Sequence, residues 1–513
     1  MDLSMAFFAG AIALAFILYY LFPLKIRWVA LLIISVAFYL LLSTYLFAFA
    51  LCTAIGVYFS ARAIHKRNNS VEAPTDEDKK RIKRRNKAVI VTTILFNLLI
   101  LAFLKYYNFL GSSVCSLLHL MGASIEFRAL KLLLPLGISF YTLAAIGYLV
   151  DVHRKKYAPE TNFFKILLFL TYFNTVMEGP ILRYDGAQTL FEGHRADYKK
   201  ICHGLQRILW GVFKKLVIAD RAYLLVKTIN ASPTSYSGIA CLLYILLYTL
   251  QLYADFSGFM DIAIGASEMF GIELPENFRQ PFFAKSAQEF WQRWHITLGT
   301  WLKEYVFYSV ALSSGVVKFG KKIKKKHKNH FTKILPTGIA LLAVWLCNGI
   351  WHGPQWNYIV YGLYYFVIIF GGMLFEPLFL KLYKKMKLDN NCIGLRIMRH
   401  IRTLLIIFIG ETIFGAPTLH DAFYILGHLF VPYNGSALAL GLDWKEMLVL
   451  GLAVAVLVAM GFIKEKKIAV RDGIDRLVLP LRWGIYLAGI AIVVLFGAYG
   501  SLYTSVPFMY GNF

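Results

Sequence analysis

The chain has 513 residues, 58% of them hydrophobic and 16% aromatic. That is more apolar side chain than one soluble core can bury, so the composition excludes a soluble globular protein and indicates an all-α, polytopic integral membrane protein. The formal net charge of +25 raises nucleic-acid binding, but it comes largely from four stretches, 62–87, 318–333, 381–402 and 464–482. Each is flanked by apolar runs, and cytoplasmic loops between spans account for the charge without any nucleic acid.

In chain order, apolar runs of near-spanning length recur at 5–23, 28–41, 43–60, 88–107, 130–150, 163–177, 204–219, 238–254, 256–272, 296–314, 334–351, 356–380, 401–416, 446–463 and 483–500. Several fall short of the usual span, so the length rule predicts roughly 11 to 13 spanning helices together with re-entrant or interfacial ones. The first run has no basic residue before it and Lys25 and Arg27 just behind it, the reverse of a secretory leader, and is expected to stay as a first span. With the four basic stretches inside, the N-terminus is expected outside. The stretch 68–78 is polar, contains Pro74 and reads as a mobile tip on the first basic loop. The charge run 318–333 reads as solvated and flexible. No long linker or internal repeat divides the sequence, so one integral membrane domain is expected over 1–513.

Two stretches break the apolar rhythm. Glu178-Gly179-Pro180 interrupts a span after Asn174, and irregular backbone at that depth is tolerated only where protein or water covers it. Residues 273–301 are punctuated by Pro275 and Pro281. From Ser286 they turn helical, with Phe290, Trp294, Leu298 and Trp301 at three- or four-residue intervals and an S-x-x-E capping box from Ser286 to Glu289. A helix this rich in Trp belongs at the interface or along a cavity.

The soluble-enzyme motifs are absent. The six cysteines, Cys52, Cys115, Cys202, Cys241, Cys347 and Cys392, show no C-x-x-C spacing, so neither a disulfide framework nor a metal site is suggested. There is no H-E-x-x-H, no Gly-rich nucleotide loop and no G-x-S-x-G elbow.

Chemistry is therefore sought in polar groups at membrane depth. His352 closes the apolar run 334–350 within Asn348-Gly349-Ile350-Trp351-His352-Gly353, and His295 ends Glu289-Phe290-Trp291-Gln292-Arg293-Trp294-His295. Counted along continuous helices at ~1.5 Å per residue, both would lie roughly 25 to 30 Å from the surface that carries the basic loop between them, at one depth. Imidazole can take a proton from an attacking hydroxyl and return it to a leaving group, and burial keeps it neutral, the form a base needs. Asp255, Ser257 and Asp261 form a second polar cluster between two apolar runs. Intramembrane carboxylates usually pair or line cavities, so a structural role is expected, through indole or amide groups near His352 or through Arg279 or Arg293.

These residues resemble the membrane-bound O-acyltransferase (MBOAT) family, in its bacterial branch of alginate O-acetyltransferases and D-alanyl transfer proteins of teichoic acid. The resemblance rests on Asp255-Phe256-Ser257-Gly258-Phe259-Met260-Asp261, on Asn277-Phe278 through Trp294-His295, and on Gly349-Ile350-Trp351-His352-Gly353, in that order. It extends from Leu134-Pro135-Leu136-Gly137 through Gly179-Pro180-Ile181-Leu182-Arg183 to the aromatic tail. Two departures stand out: the branch often has an arginine where Ile413-Phe414-Gly415-Ala416 stands, and the loop after Val306-Phe307-Tyr308 is a lysine-rich insertion.

The resemblance implies a ring of helices around a central funnel, with His352 catalytic and His295 beside it. Asn348, Trp351, Gly353, Trp294, Arg293, Asp255, Ser257 and Asp261 would then support the pocket, with Asn348 or the Trp294 indole as donors to an oxyanion and His295 orienting or polarising the acyl group. The implied reaction moves an acyl group, acetyl in the first reading, from a cytoplasmic thioester towards hydroxyls of a cell-surface polysaccharide. The extra C-terminal spans favour this over D-alanyl transfer to teichoic acid. The donor would be acetyl-CoA or a phosphopantetheine-linked acyl carrier protein, with no permanently bound cofactor, and an extracellular or membrane-anchored transfer partner would complete delivery. The alternative from another class is a proton- or ion-coupled transporter using the same intramembrane Asp and His.

Overall fold

The computed structural model describes residues 5–70, 75–387, 389, 392–499 and 503, so part of the expected tip at 68–78 lies outside the described residues. The described chain is helical, with no strand. Eight of its helices are long and apolar enough to cross a membrane, and Phe7–Leu21 and Ile138–His153 are shorter apolar helices. This differs from the 11 to 13 expected spans because apolar runs merge or break. The runs 238–254 and 256–272 join in one helix, whereas 163–177, 204–219 and 296–314 are cut by irregular or wide turns.

The chain forms two compact units. The first contains residues up to 207 and 263–275. It comprises α1 (Met5–Leu21), α2 (Arg27–Ser43), α3 (Phe47–Asn68), α4 (Asp76–Leu120), α5 (Ile138–His153), α6 (Phe163–Thr171) and the start of α7 (Tyr198–Val212). At 45 residues α4 is ~68 Å long by the helical rise, about twice a bilayer core, so its charged first turns extend beyond the apolar part. A reciprocal capping box between Thr75 and Asp78 starts it. After α6 the chain runs irregularly through 172–183, yet these residues are almost all buried. Asn174 donates to the Tyr172 hydroxyl at 3.1 Å and to the Ser267 hydroxyl at 3.0 Å, so protein covers the non-helical backbone expected around Glu178.

The second unit contains 208–262 and 276–506. Here α7 opens into a π-helical turn, Phe213–Ala219, before α8 (Asp220–Ala231), and α9 (Gly238–Met269) follows. The stretch predicted as one helix from Ser286 is two, α10 (Ala287–Arg293) and α11 (Ile296–Trp301), broken at Trp294 and His295. Ser286 caps α10 through the Glu289 amide at 3.1 Å, but the Glu289 carboxylate turns to the Lys285 amide, so the capping box is only half made. The basic run expected to be flexible contains α13 (Ser314–Lys326), after the short α12 (Tyr308–Ala311); its lysines are exposed.

The pair α14 (His330–His352) and α15 (Trp356–Lys385) packs closely together within this unit. Then come α16 (Ile393–Gly415), α17 (Leu419–Gly427), α18 (Trp444–Glu465), α19 (Val470–Asp475) and α20 (Leu479–Phe496). A Cβ on Gly349 would lie 2.3 Å from the Tyr358 carbonyl oxygen, and one on Gly362 would lie 2.3 Å from that of Trp345. Only glycines allow α14 and α15 to run this close.

Candidate active site

His352 is the last residue of α14, where Gly353 ends the helix in extended backbone. Its imidazole is 4% exposed and sits in an aromatic box. Ring centroids of Phe414, Trp351, Tyr361 and Tyr358 lie at 5.0, 5.1, 6.1 and 6.3 Å. Gly353 makes room for that box, since a Cβ there would lie 2.5 Å from the Tyr358 ring. Asn348 is one turn before His352 on the same helical face. It is buried, and its Oδ1 has no hydrogen-bond partner among the described residues.

His295 joins α10 to α11 in a left-handed backbone conformation, φ 47°, and is 2% exposed. Its Nδ1 lies 3.2 Å from Asn277 Oδ1, while Nε2 is buried without a partner among the described residues. The ring packs at 4.9 Å on Phe256 of α9 and at 5.7 Å on Trp351 of α14. Trp351 therefore touches both imidazoles, and the two histidines separated in sequence come to one indole.

The remaining expected residues divide into a wall and a brace. Trp294 is 3% exposed and packs on Phe278 at 5.1 Å, Phe290 at 5.3 Å and Tyr253 at 5.9 Å. Arg293 turns to Glu289 and Glu465, both at 2.8 Å. Asp255 and Asp261, expected to pair in a structural role, meet two lysines. Lys215 Nζ lies 2.5 Å from Asp255 and 2.8 Å from Asp220, and Lys214 Nζ lies 2.7 Å from Asp261 and 2.8 Å from the Ser257 hydroxyl. Both lysines come from the π-helical turn, whose wide winding directs two consecutive side chains at α9. Arg293 is engaged by Glu289 and Glu465, and the lysines pair with the aspartates in a buried setting where an unpaired charge is costly.

Sequence reasoning missed these lysines, although two consecutive cations in the apolar run 204–219 were a signal for buried partners. It also missed Asn277 as a partner of His295, and Glu411. Glu411 is fully buried in α16, and the Tyr361 hydroxyl donates to its Oε1 at 3.3 Å. Tyr361 thus links that carboxyl to the aromatic box of His352.

The sequence profile described as "MBOAT, membrane-bound O-acyltransferase family" matches residues 159–414, which include both histidines, Asn277, the lysine–aspartate cluster and Glu411. This chain carries an MBOAT-family domain. Among similar proteins, a probable alginate O-acetylase of Pseudomonas syringae pv. tomato is 32% identical over 337 residues, 66% of this chain and 59% of that protein. The peptidoglycan O-acetyltransferase of Helicobacter pylori is 32% identical over 303 residues, 53% of each chain. The teichoic acid D-alanyltransferase of Bacillus subtilis is 30% identical over 242 residues, 46% of this chain and 58% of the relative. The chain thus spans about six-tenths of the alginate O-acetylase it matches. As its helices and family indicate, it is a multi-pass membrane protein.

Proposed function

We propose that this protein moves an acyl group, acetyl in the first instance, from a cytoplasmic thioester to a hydroxyl on the way to an extracellular polysaccharide. The observation that carries the reading is the burial of His352 at the end of an apolar helix, in an aromatic box that it shares through Trp351 with His295. A titratable ring held there needs a function, and proton transfer is the chemistry it offers. The names of the relatives, O-acetylation of alginate and peptidoglycan and D-alanylation of teichoic acid, all describe transfer of an acyl group.

In this reading His352 takes the proton of the attacking hydroxyl as the oxygen adds to the thioester carbonyl. As the intermediate collapses, the same proton goes to the departing thiolate, leaving an ester and a free thiol. Water exclusion by the aromatic box protects the thioester from hydrolysis. The basic segments face the cytoplasm and the N-terminus lies outside, so an acetyl-CoA or a carrier-bound phosphopantetheine thioester would arrive from the lysine-rich side. An extracellular or membrane-anchored partner would complete delivery to the polymer.

The test is transfer of labelled acyl groups to extracellular polymer in cells carrying the wild-type chain or His352→Ala at matched membrane levels, with acetyl and D-alanyl labels in parallel. Acetyl labelling is expected to fall by about a hundredfold or more with His352→Ala. Loss of the D-alanyl label alone would change the donor class. Unchanged labelling of both kinds would overturn acyl transfer and favour an ion-coupled transporter.

A further inference from the structure

His295 and Asn277 allow the proton on the imidazole to be located. Asn277 Oδ1 accepts the backbone amide of Thr297 at 3.0 Å, and a backbone N–H can only donate, so the atom facing it is the amide oxygen and not the amide nitrogen. The Thr297 hydroxyl, at 3.0 Å, reaches the same oxygen, and the Asn277 Nδ2 points the other way, to the Met260 thioether at 3.2 Å. An oxygen already fixed as an acceptor can meet His295 Nδ1, 3.2 Å away, only if Nδ1 carries the hydrogen. In a neutral ring the other nitrogen is then bare. That nitrogen, Nε2, is the one buried without a protein partner among the described residues.

The backbone supports the same arrangement. The Ile296 amide donates to the Asn277 carbonyl at 3.0 Å, so Asn277 holds the first two amides of α11 as well as the His295 ring at the α10–α11 break. His295 at that break has a left-handed conformation that L-residues rarely adopt and that redirects its side chain away from the helical path. The ring lies between Phe256 of α9, Trp351 of α14 and Asn277.

We propose that Asn277 is a positioning residue that locks His295 in its Nδ1–H tautomer. His295 therefore meets the substrate through a bare Nε2, accepting a hydrogen bond from a substrate O–H or N–H, and does not donate to the acyl oxygen. This rests on the acyl-transfer reading for the identity of the substrate, but not for the tautomer. It revises the expectation that His295 polarises the acyl group, because a bare nitrogen has no hydrogen to offer a developing oxyanion. Two groups in the proposed reaction have the required chemistry, the hydroxyl of the acceptor and an amide N–H of a pantetheine arm.

The tautomer is read directly by nitrogen NMR of the full-length protein labelled with 15N-histidine in lipid nanodiscs, the His295 signals being assigned by their loss in His295→Asn. A protonated Nδ1 and a bare Nε2 are expected. A hydrogen on Nε2 in the neutral ring would overturn the proposal whatever the activity. Asn277→Ala should mix the tautomers, Asn277→Asp should retain the Nδ1–H, and Thr297→Val, which keeps the amide and removes only the hydroxyl, should leave the wild-type pattern.

Transfer from labelled acetyl-CoA in inverted membrane vesicles gives the second reading. Asn277→Ala should lose on the order of tenfold or more, as loss of a fixed tautomer does in other histidine sites. Asn277→Asp should recover part of that rate with the acid limb of its pH profile moved up by about one unit, because the new carboxylate stabilises the imidazolium. Equal losses in Asn277→Ala, Asn277→Asp and Thr297→Val with an unmoved profile would reduce Asn277 to a packing role and overturn the proposal. A rise in KM confined to the donor or to the acceptor in His295→Ala would show which substrate supplies the hydrogen. If wild-type vesicles transfer no acetyl, the acetyl reading fails while the NMR result still decides the tautomer.

Discussion

Glu160 lies in the turn between α5 and α6, outside the spanning segments, and three donors converge on it. The Thr161 and Asn162 amides reach Oε1 at 2.7 and 2.8 Å, and the Tyr184 hydroxyl reaches Oε2 at 2.6 Å. Burial alone would push the carboxyl up, but these bonds and the Lys165 charge outweigh it and hold it below the usual carboxylate range. A carboxyl depressed in the folded state stabilises fully above its unfolded value, and that contribution is lost as the pH falls through the folded value. Tyr184→Phe should therefore melt a few degrees below wild type near neutral pH, with the gap closing on acidification; thermal unfolding in detergent across that range checks it, and a constant gap would count against this account. At the scale of single residues the sequence exposed His295 and His352, because a titratable ring in an apolar run is conspicuous without any partner. Asn277, Lys214, Lys215 and Glu411 were hidden, since their meaning depends on which atom faces them across 18 to 50 residues of chain.

Elements were legible where one physical signal dominated. The apolar run 334–351 became α14 with its histidine at the end, and 356–380 became α15, because unbroken hydropathy admits few alternatives. The helix expected from Ser286 to Trp301 broke at His295 because Asn277 takes up the amides that would have continued it, a tertiary capture that periodicity does not encode. The close pairing of α14 and α15 gives a prediction at this scale. In Gly349→Ala the new methyl would meet the Tyr358 carbonyl oxygen at 2.3 Å, and backbone cannot rotate aside as a side chain can. The helices must separate, at about 1–3 kcal/mol, and His352, less than one turn further on, moves with them. Transfer should fall by about tenfold to a hundredfold with the protein still in the membrane. Gly371→Ala in α15, where nothing lies within 4 Å of the added methyl, is the control and should retain wild-type melting and activity. Equal behaviour of the two variants in melting and transfer assays would remove the close approach as the determinant of His352 placement.

For the whole molecule, hydropathy and charge foretold a helical membrane protein but not its division into two compact units, because α7 and α9 run from one unit into the other without any break in composition. Charge makes a further claim about topology. The exposed lysines of α13 and the basic segments at 62–87, 381–402 and 464–482 are each flanked by apolar helices, and by the positive-inside rule we propose that all four face the cytoplasm. The segment between α17 and α18 should then face outward, as should the N-terminus. A chain with its six cysteines replaced by serine and one cysteine introduced at Lys325 or at Ser436 separates the two arrangements. A membrane-impermeant maleimide should label Ser436→Cys in intact cells and Lys325→Cys only after permeabilisation. The reverse pattern would invert the topology, placing α13 outside, and would force the thioester donor to reach His352 by a route other than the lysine-rich face.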